Sequence, residues 1–436
     1  MTTKIRSKPR PEAPGSWRNP STAILVGVDR RLPDRAGTWA ALTPILGRSP
    51  FERHLVHLSK LGVRTFVLPV SAEVIDNVRS ICRKQAEPLL PDGAEVLFEP
   101  YDGGEAPVTG EGTLLLVRAD SVYDPRLYRA ATEAPGPTQL CDGTVSEEPG
   151  EALEPTDTSR MVGIVKLRIG TDATSRLPCL PLDDIEPYLP EMRRRLRPYW
   201  CAIEREHDVD RAARMILDSA QKGVLDFPAR YLHPWPENLL TRLLAPTRVT
   251  PNMITFLTAV TGFGATYLFA VGSFAWGLWF AFLTNVLDGV DGKLARVKLL
   301  SSPLGHRFDH TLDVSYEFSW YLALGWGLSV HSADRGPLLT GLALVAVMLG
   351  TRAVSGLYTM ASGRQIHDHR AFDRAFRLVA GRRNIYMLVF LGGLLMGRLA
   401  QALSVCLVWA LATLGVYLVR AAMAGVQRKR VRTRSR

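Results

Sequence analysis

Cysteine is scarce here, and it forms no pattern. Cys82, Cys141, Cys179, Cys201 and Cys406 include no CxxC and match no zinc-ligand spacing. That excludes a thiolate metal centre and a disulfide-stapled scaffold, and an odd count reads as ordinary reduced thiols. The opening MTTKIRSKPRPEAPGSW lacks the apolar core of a signal peptide; residues 1–20 read instead as a disordered basic arm. The chain carries a net charge of +11 but no base-reading module and no basic stripe interleaved with aromatics, so it does not read as a nucleic-acid binder. Acidic residues are almost missing from the outer halves of the long apolar runs. A transporter needs polar groups along a route through the bilayer, so that class is disfavoured.

What is present is unevenly spread. Hydrophobic residues make up 47% of the 436, yet the first 200 residues are mixed and proline-rich, while apolar runs of membrane length begin near residue 250. Residues 21–205 alternate strand and helix patterns. Strands are expected at 22–28, 63–70, 94–100, 113–120 and 160–168, and helices at 50–62 and 72–85. Such alternation argues for an α/β sheet whose ligands sit at the carboxyl ends of its strands. Residues 206–248 link this domain to the next. A helix is expected at 210–223, and WPENLLTRLLA (235–245) is amphipathic, suited either to the membrane interface or to packing beneath the α/β domain.

Six membrane spans are expected, at 250–271, 273–298, 304–330, 336–360, 384–399 and 401–425, within a helical domain at 249–426 that ends in a basic tail at 427–436. Lys293, Arg296, Lys298 and Arg307 fall on one side with the 364–383 segment and the tail; Arg335 and Arg398 fall on the other. The excess of Lys and Arg marks the cytoplasmic side, which places the α/β domain there, on a cell membrane protein of several passes.

Between the second and third spans lie Asp288, Asp291, Asp309 and Asp313, inside 26 residues. Asp288 and Asp291 are three apart, Asp309 and Asp313 four apart; on helices each pair shares a face. Two helix ends would then offer carboxylate oxygens to one small volume, the ligand set of a hard divalent cation. A pair of such ions about 4 Å apart can clamp the attacking and leaving oxygens of a phosphoryl displacement. Gly292 and Ala295 leave space beside this face.

The order Asp288-x2-Asp291-Gly292-x2-Ala295-Arg296-x8-Gly305-x3-Asp309-x3-Asp313 matches in full the signature of the CDP-alcohol phosphotransferase (CDP-alcohol phosphatidyltransferase) family. Over about 180 residues the chain resembles that family. The resemblance implies transfer of a substituted phosphate group from a CDP-alcohol to an acceptor hydroxyl, with release of CMP. It implies two Mg2+ or Mn2+ ions on Asp288, Asp291, Asp309 and Asp313, with Asp313 also the general base. Gly292, Ala295 and Arg296 would lie at the nucleotide, although Arg296 could equally pair with an aspartate. Pro251, Asn252 and Thr255 occupy the place of a family Pro-Asn-x-x-Thr near the nucleotide, and they also read as a capped helix start with proline. Arg352, inside the fourth span, is an acceptor-site candidate or the partner of an acid. Arg382 and Arg383 resemble a GRR-Asp-x-Tyr segment that lines the acceptor pocket of inositol-phosphate-using members, with Asn384 in place of the aspartate. The family is commonly dimeric, so a homodimer is implied.

The first half resembles the sugar-nucleotide and cytidylyltransferase-like fold, through PILGRSPFERHLVHLSKLGV and through a strand closing on Asp120, followed by SVYDPRLYRA. Active members carry a glycine-rich basic loop and then Pro-Lys. Here VDRRLPDRAGTWAALTP holds Arg30, Arg31 and Arg35 but a single glycine, and Thr43-Pro44 has no lysine. The expectation is a degenerate domain with a structural or regulatory role. The fold class expected is therefore an α/β nucleotidyltransferase-like soluble domain followed by an all-α six-helix transmembrane domain. The fusion resembles the group that includes archaeal di-myo-inositol phosphate phosphate synthases. The donor is then CDP-diacylglycerol or a CDP-inositol-like compound, and the acceptor a hydroxyl, such as that of a phosphorylated polyol. The alternatives are a bifunctional inositol-1-phosphate cytidylyltransferase and di-myo-inositol phosphate phosphate synthase, or a membrane pseudoenzyme or transporter.

Overall fold

The computed structural model describes residues 19–35, 37–86, 89–101, 112–142, 161–168, 177–300, 303–363, 365–366 and 371–434, without the side chains of 86, 303–309 and 424–434. The expected N-terminal arm and the charged part of the tail fall outside the described side chains. The chain divides into two compact units: Met1–Leu189 with Arg195–Ser219, and Pro190–Arg194 with Ala220–Arg436.

The first unit is built on strand alternation. Strands β1 (Thr22–Val26), β2 (Thr65–Val70), β3 (Glu95–Pro100) and β4 (Thr113–Arg118) form the parallel part of a seven-stranded sheet. The sheet continues through β6 (Thr138–Cys141), β7 (Met161–Arg168) and β8 (Cys179–Pro181) in the order β3-β2-β1-β4-β7-β6-β8, with β7 antiparallel to β4. The period of two sorts side chains cleanly. Ala23, Leu25, Phe66, Leu68, Leu115 and Val117 enter one core, while Ile24, Val67 and Leu114 enter another on the opposite face. Helix α1 (Pro50–Lys60) starts where expected because Ser49 and Glu52 form a reciprocal capping box and Pro50 supplies a preset φ. Helices α2 (Ile75–Ala86), α3 (Pro125–Glu133) and α4 (Glu206–Ser219) complete the unit, with a short strand β5 (Ser121–Tyr123).

One expectation fails here. Cys141 and Cys179 are joined as a disulfide, because β6 and β8 pair in parallel and bring their Cα atoms to 6.0 Å. Cys82, Cys201 and Cys406 remain free and buried.

The second unit is helical: α5 (Phe227–Tyr231), α6 (Pro234–Leu244), α7 (Pro251–Ala270), α8 (Phe274–Val297), α9 (Pro303–Ser332), α10 (Gly336–Ser362), α11 (Ala371–Arg377), α12 (Arg383–Leu395) and α13 (Leu399–Arg434). The six expected spans coincide with α7–α10, α12 and α13. Among the described residues, α7, α10 and the Leu399–Met423 part of α13 are long and apolar enough to cross a membrane by length and composition. Helices α8 and α9 are long but carry acids, and α12 has 13 residues. Phe269, Trp320, Tyr321, Tyr386 and Phe390 fill the interior. Phe256, Trp276, Leu357 and Leu395 stay exposed, an apolar exterior that only a non-aqueous surrounding stabilises.

Helix α6 shows the same inversion in miniature. Glu237 and Thr241 are buried, whereas Trp235, Leu239 and Leu243 are exposed, Trp235 to 75%. A helix that hides its polar side and shows its apolar side is suited to a lipid boundary.

Candidate active site

Three helices converge on two of the aspartates. Asp288 lies on α8, Asp313 on α9, and Arg383 is the first residue of α12. Arg383 Nη2 donates to Asp288 Oδ2 at 2.9 Å, and its Nη1 pairs with Asp313 Oδ1. The Tyr316 hydroxyl, one turn further along α9, donates to Asp313 Oδ1 at 2.7 Å. The guanidinium also lies over the rings of Tyr316 and Trp320, at 5.5 and 5.9 Å from their centroids. The tyrosine and the arginine between them fix the Asp313 carboxylate.

Asp291, one turn past Asp288, is buried and takes a hydrogen bond of 2.7 Å from Thr255 Oγ1 on α7. Thr255 thus has a definite task. The α7 start is also the capped opening anticipated from sequence, with the Thr250 side chain accepting from Met253 N and Pro251 in the first turn. Asn252 is exposed in that first turn. Arg296 folds back along α8. Its Nη1 lies 3.2 Å from where a Gly292 Cβ would stand, and its Nε donates to Ala220 O at 2.9 Å. The space that Gly292 leaves is therefore occupied by a guanidinium, with Ala295 half-buried one turn beyond Asp291. The Asp309 side chain lies outside the described residues, and its backbone is on α9.

The remaining arginines separate. Arg352 on α10 pairs with Glu317, which is 5% exposed, and lies 5.1 Å from the Phe318 centroid. Its partner is an acid, though not one of the three aspartates whose side chains are described. Extending the α9 series 309, 313 by one more turn reaches 317, so the helical spacing of the acids already marks Glu317 in the sequence. Arg382 stands at the N-cap position of α12 without a side-chain capping bond, and lies within electrostatic range of Tyr386 and Tyr417. Arg382 and Arg383, adjacent in sequence, thus serve different surroundings.

A divalent cation fits this donor set. Asp288 and Asp313 come from different helices and already converge on one positive group, the Arg383 guanidinium, and Asp291 lies one turn along α8 from Asp288. All three offer hard oxygen ligands. On the Asp288 face of α8, one turn earlier, Asn285 is 4% exposed and its Oδ1 has no hydrogen-bond partner. Among the described side chains no group of three acids, histidines or cysteines is yet drawn together as a finished metal shell.

The first unit has its own acid at a strand end. The sheet order reverses between β1 and β4, which is where α/β sheets open a ligand crevice. Asp120, just beyond β4 and 1% exposed, meets Arg118 Nε at 2.6 Å and Arg30 Nη1, from the loop after β1, at 3.0 Å. Arg118 Nη2 also reaches Glu204 at 3.0 Å. Arg31 lies over Trp39 at 4.8 Å and Arg35 pairs with Glu206 at 3.5 Å, so the three loop arginines each have a protein partner.

Comparison with known proteins adds a name to the helical geometry. Residues 248–417 match the family described as CDP-alcohol phosphatidyltransferase. The chain is 30% identical over 192 residues to a phosphatidylinositol phosphate synthase from Corynebacterium glutamicum, covering 43% of this chain and 82% of that protein. It is 24% identical over 376 residues to a bifunctional IPC transferase and DIPP synthase from Aquifex aeolicus, covering 80% of this chain and 86% of that protein. A protein of the same name from Thermococcus kodakarensis is 31% identical over 186 residues, 42% of this chain, and there the match spans only 41% of the relative.

Proposed function

The chain belongs to the CDP-alcohol phosphatidyltransferase family, and from that premise we propose that its helical unit transfers a substituted phosphate group from a CDP-alcohol to an acceptor hydroxyl, releasing CMP. The acceptor oxygen bonds to the alcohol-side phosphorus of the donor, and the bond from that phosphorus to the CMP oxygen breaks. Asp313 takes the proton from the acceptor hydroxyl as the bond forms. The observation that carries this reading is the convergence of Asp288, Asp313 and Arg383 from three helices. Mg2+ or Mn2+, held by Asp288, Asp291, Asp309 and Asp313, would neutralise the diphosphate and stabilise the leaving CMP.

The other site residues follow from charge and position. Gly292, Ala295 and Arg296 on α8, with Pro251, Asn252 and Thr255 on α7, form the nucleotide side. Arg383, Arg382 and Arg352 form the acceptor side, where a guanidinium fork suits a phosphate. The apolar exterior and the exposed face of α6 support a bundle of six spanning helices, and the Lys and Arg excess supports placing this site and the α/β unit on the cytoplasmic side of a cell membrane. A homodimer is part of the same proposal.

The finer form is bifunctional: the α/β unit makes a CDP-inositol from an inositol phosphate and CTP, and the helical unit joins that donor to a second phosphorylated inositol. Its support is the match to the Aquifex protein across 80% of this chain, which exceeds the helical unit alone. The meeting of Arg30 and Asp120 where the sheet order reverses supports it too. The test uses the purified full chain with Mg2+. CTP and inositol phosphate should yield pyrophosphate, and CDP-inositol with inositol phosphate should yield CMP. CMP without pyrophosphate removes the first activity and leaves the transferase. Absence of CMP from a panel that also holds CDP-diacylglycerol removes the transferase itself.

A further inference from the structure

Nothing so far explains what holds Arg383 at the height of Asp288 and Asp313. It is the first residue of a helix of only 13, where a terminus frays readily. Its neighbour Asn384 is held from outside the bundle. Asn384 Nδ2 donates to both carboxylate oxygens of Asp226, at 3.0 and 3.2 Å. Asp226 is itself 5% exposed and caps α5, accepting from Ala229 N at 3.1 Å. The next residue, Phe227, donates its N–H to Leu378 O, in the segment before α12, at 2.9 Å. A carboxylate can only accept, so Asp226 dictates which end of the Asn384 amide faces it.

The following helix grips α8. Glu237 of α6, 5% exposed, pairs with Lys293 at 2.9 Å, and Asn238 accepts from the same Nζ at 2.6 Å. Gly289, next to Asp288, makes this approach possible, since a Cβ there would stand 2.2 Å from Glu237 Oε1. Two short helices outside the long bundle therefore hold α12 at one end and α8 at the other, and these are the helices whose side chains meet as Arg383 and Asp288.

We propose that the α5–α6 segment is a clasp that sets the α8–α12 spacing, and that Asp226, through Asn384, is a positioning residue for Arg383. This deepens the transferase reading and rests on it for its kinetic consequence, but the clasp itself is readable without turnover. The design is an exchange of side chains. Asn384→Asp sets two carboxylates against each other. Asp226→Asn with Asn384→Asp restores one bond between the two positions with its polarity reversed, since the new amide at 226 donates to the new carboxylate at 384 while its oxygen still caps Ala229.

Thermal melts of the full chain in detergent, for wild type, both single variants and the exchange, measure coupling between the two positions. A positive coupling, with the exchange melting above Asn384→Asp, is expected. Additive shifts overturn the clasp whatever the enzyme does. In CMP release, Asn384→Asp should lower kcat by about tenfold, the weight of one charge-assisted bond, with KM for the CDP-alcohol unchanged and kcat recovered in the exchange. Coupled melts with wild-type kcat in Asn384→Asp would leave Asp226 a purely structural cap and overturn its positioning role. A wild type inactive on every donor counts against the transferase reading, while the melts still decide the clasp.

Discussion

Each unit sets carboxylates against arginine, and the two arrangements differ in how far the carboxylates are buried. In the α/β unit, Arg30 and Arg118 face Asp120 and Glu204, two cations against two anions. In the helical unit one guanidinium, Arg383, is shared by Asp288 and Asp313. A balanced cluster is complete as it stands. Asp120 is sealed at 1% side-chain exposure, whereas Asp288 and Asp313 keep 27% and 24% of theirs, and the difference teaches that a sealed acid serves the fold while acids left partly open stay accessible to a further ligand.

The comparison can be broken most directly at Asp313. Asp313→Asn should lower CMP release by roughly 10²–10⁴-fold while CDP-alcohol binding is retained, the loss expected for a general base. A variant with wild-type kcat would take the base assignment away from Asp313. EDTA should abolish CMP release, and Mg2+ or Mn2+ should restore it; a fully active chelated enzyme would mean that Arg383 alone suffices as counter-charge. Arg383→Lys keeps the charge and loses the fork that spans both carboxylates, so CMP release should fall by about 10–100-fold. Full activity there would reduce the bridge to simple charge.

Asp120→Asn is the counterpart in the balanced cluster. It leaves two guanidiniums facing one acid and should lower the melting temperature of the full chain, by about 1–3 kcal/mol of stability. CMP release from a supplied CDP-alcohol should not change. A loss of CMP release would show that the two units are not independent.

The remaining effect is in pH and leaves CMP chemistry aside. His54 is fully buried, and burial lowers its pKa to about 4 from the ordinary 6.5. Between those values the unfolded chain binds a proton that the folded chain refuses. Stability is therefore full above pH 6.5 and declines as pH falls toward 4, by on the order of 2–3 kcal/mol from this group. Melts at pH 7.5 and 5 read the decline, and His54→Gln should flatten its contribution. An unchanged slope in that variant assigns the decline to other groups.

Much of this molecule was legible in local patterns. Ser49, Pro50 and Glu52 announced α1, Thr250 and Pro251 announced α7, and the five strands expected from alternation all exist. The short pieces were hidden: β5, β6, β8 and α5 are three to five residues long, too few for a period to register. The pairing of Cys141 with Cys179 followed from strand neighbours 38 residues apart, and no spacing rule reports that.

Sequence by itself determined the acids and their helical faces, because i,i+3 and i,i+4 relations are properties of a single helix and need no partner. It also determined where the apolar runs lie, since membrane length is counted along the chain. Tertiary structure alone decided who meets whom. Arg383 reaches Asp288 across 95 positions and Asn384 reaches Asp226 across 158, and Arg352 pairs with Glu317 on the neighbouring helix. Those meetings depend on how helices pack, a matter of shape summed over many side chains, which no short stretch of sequence contains.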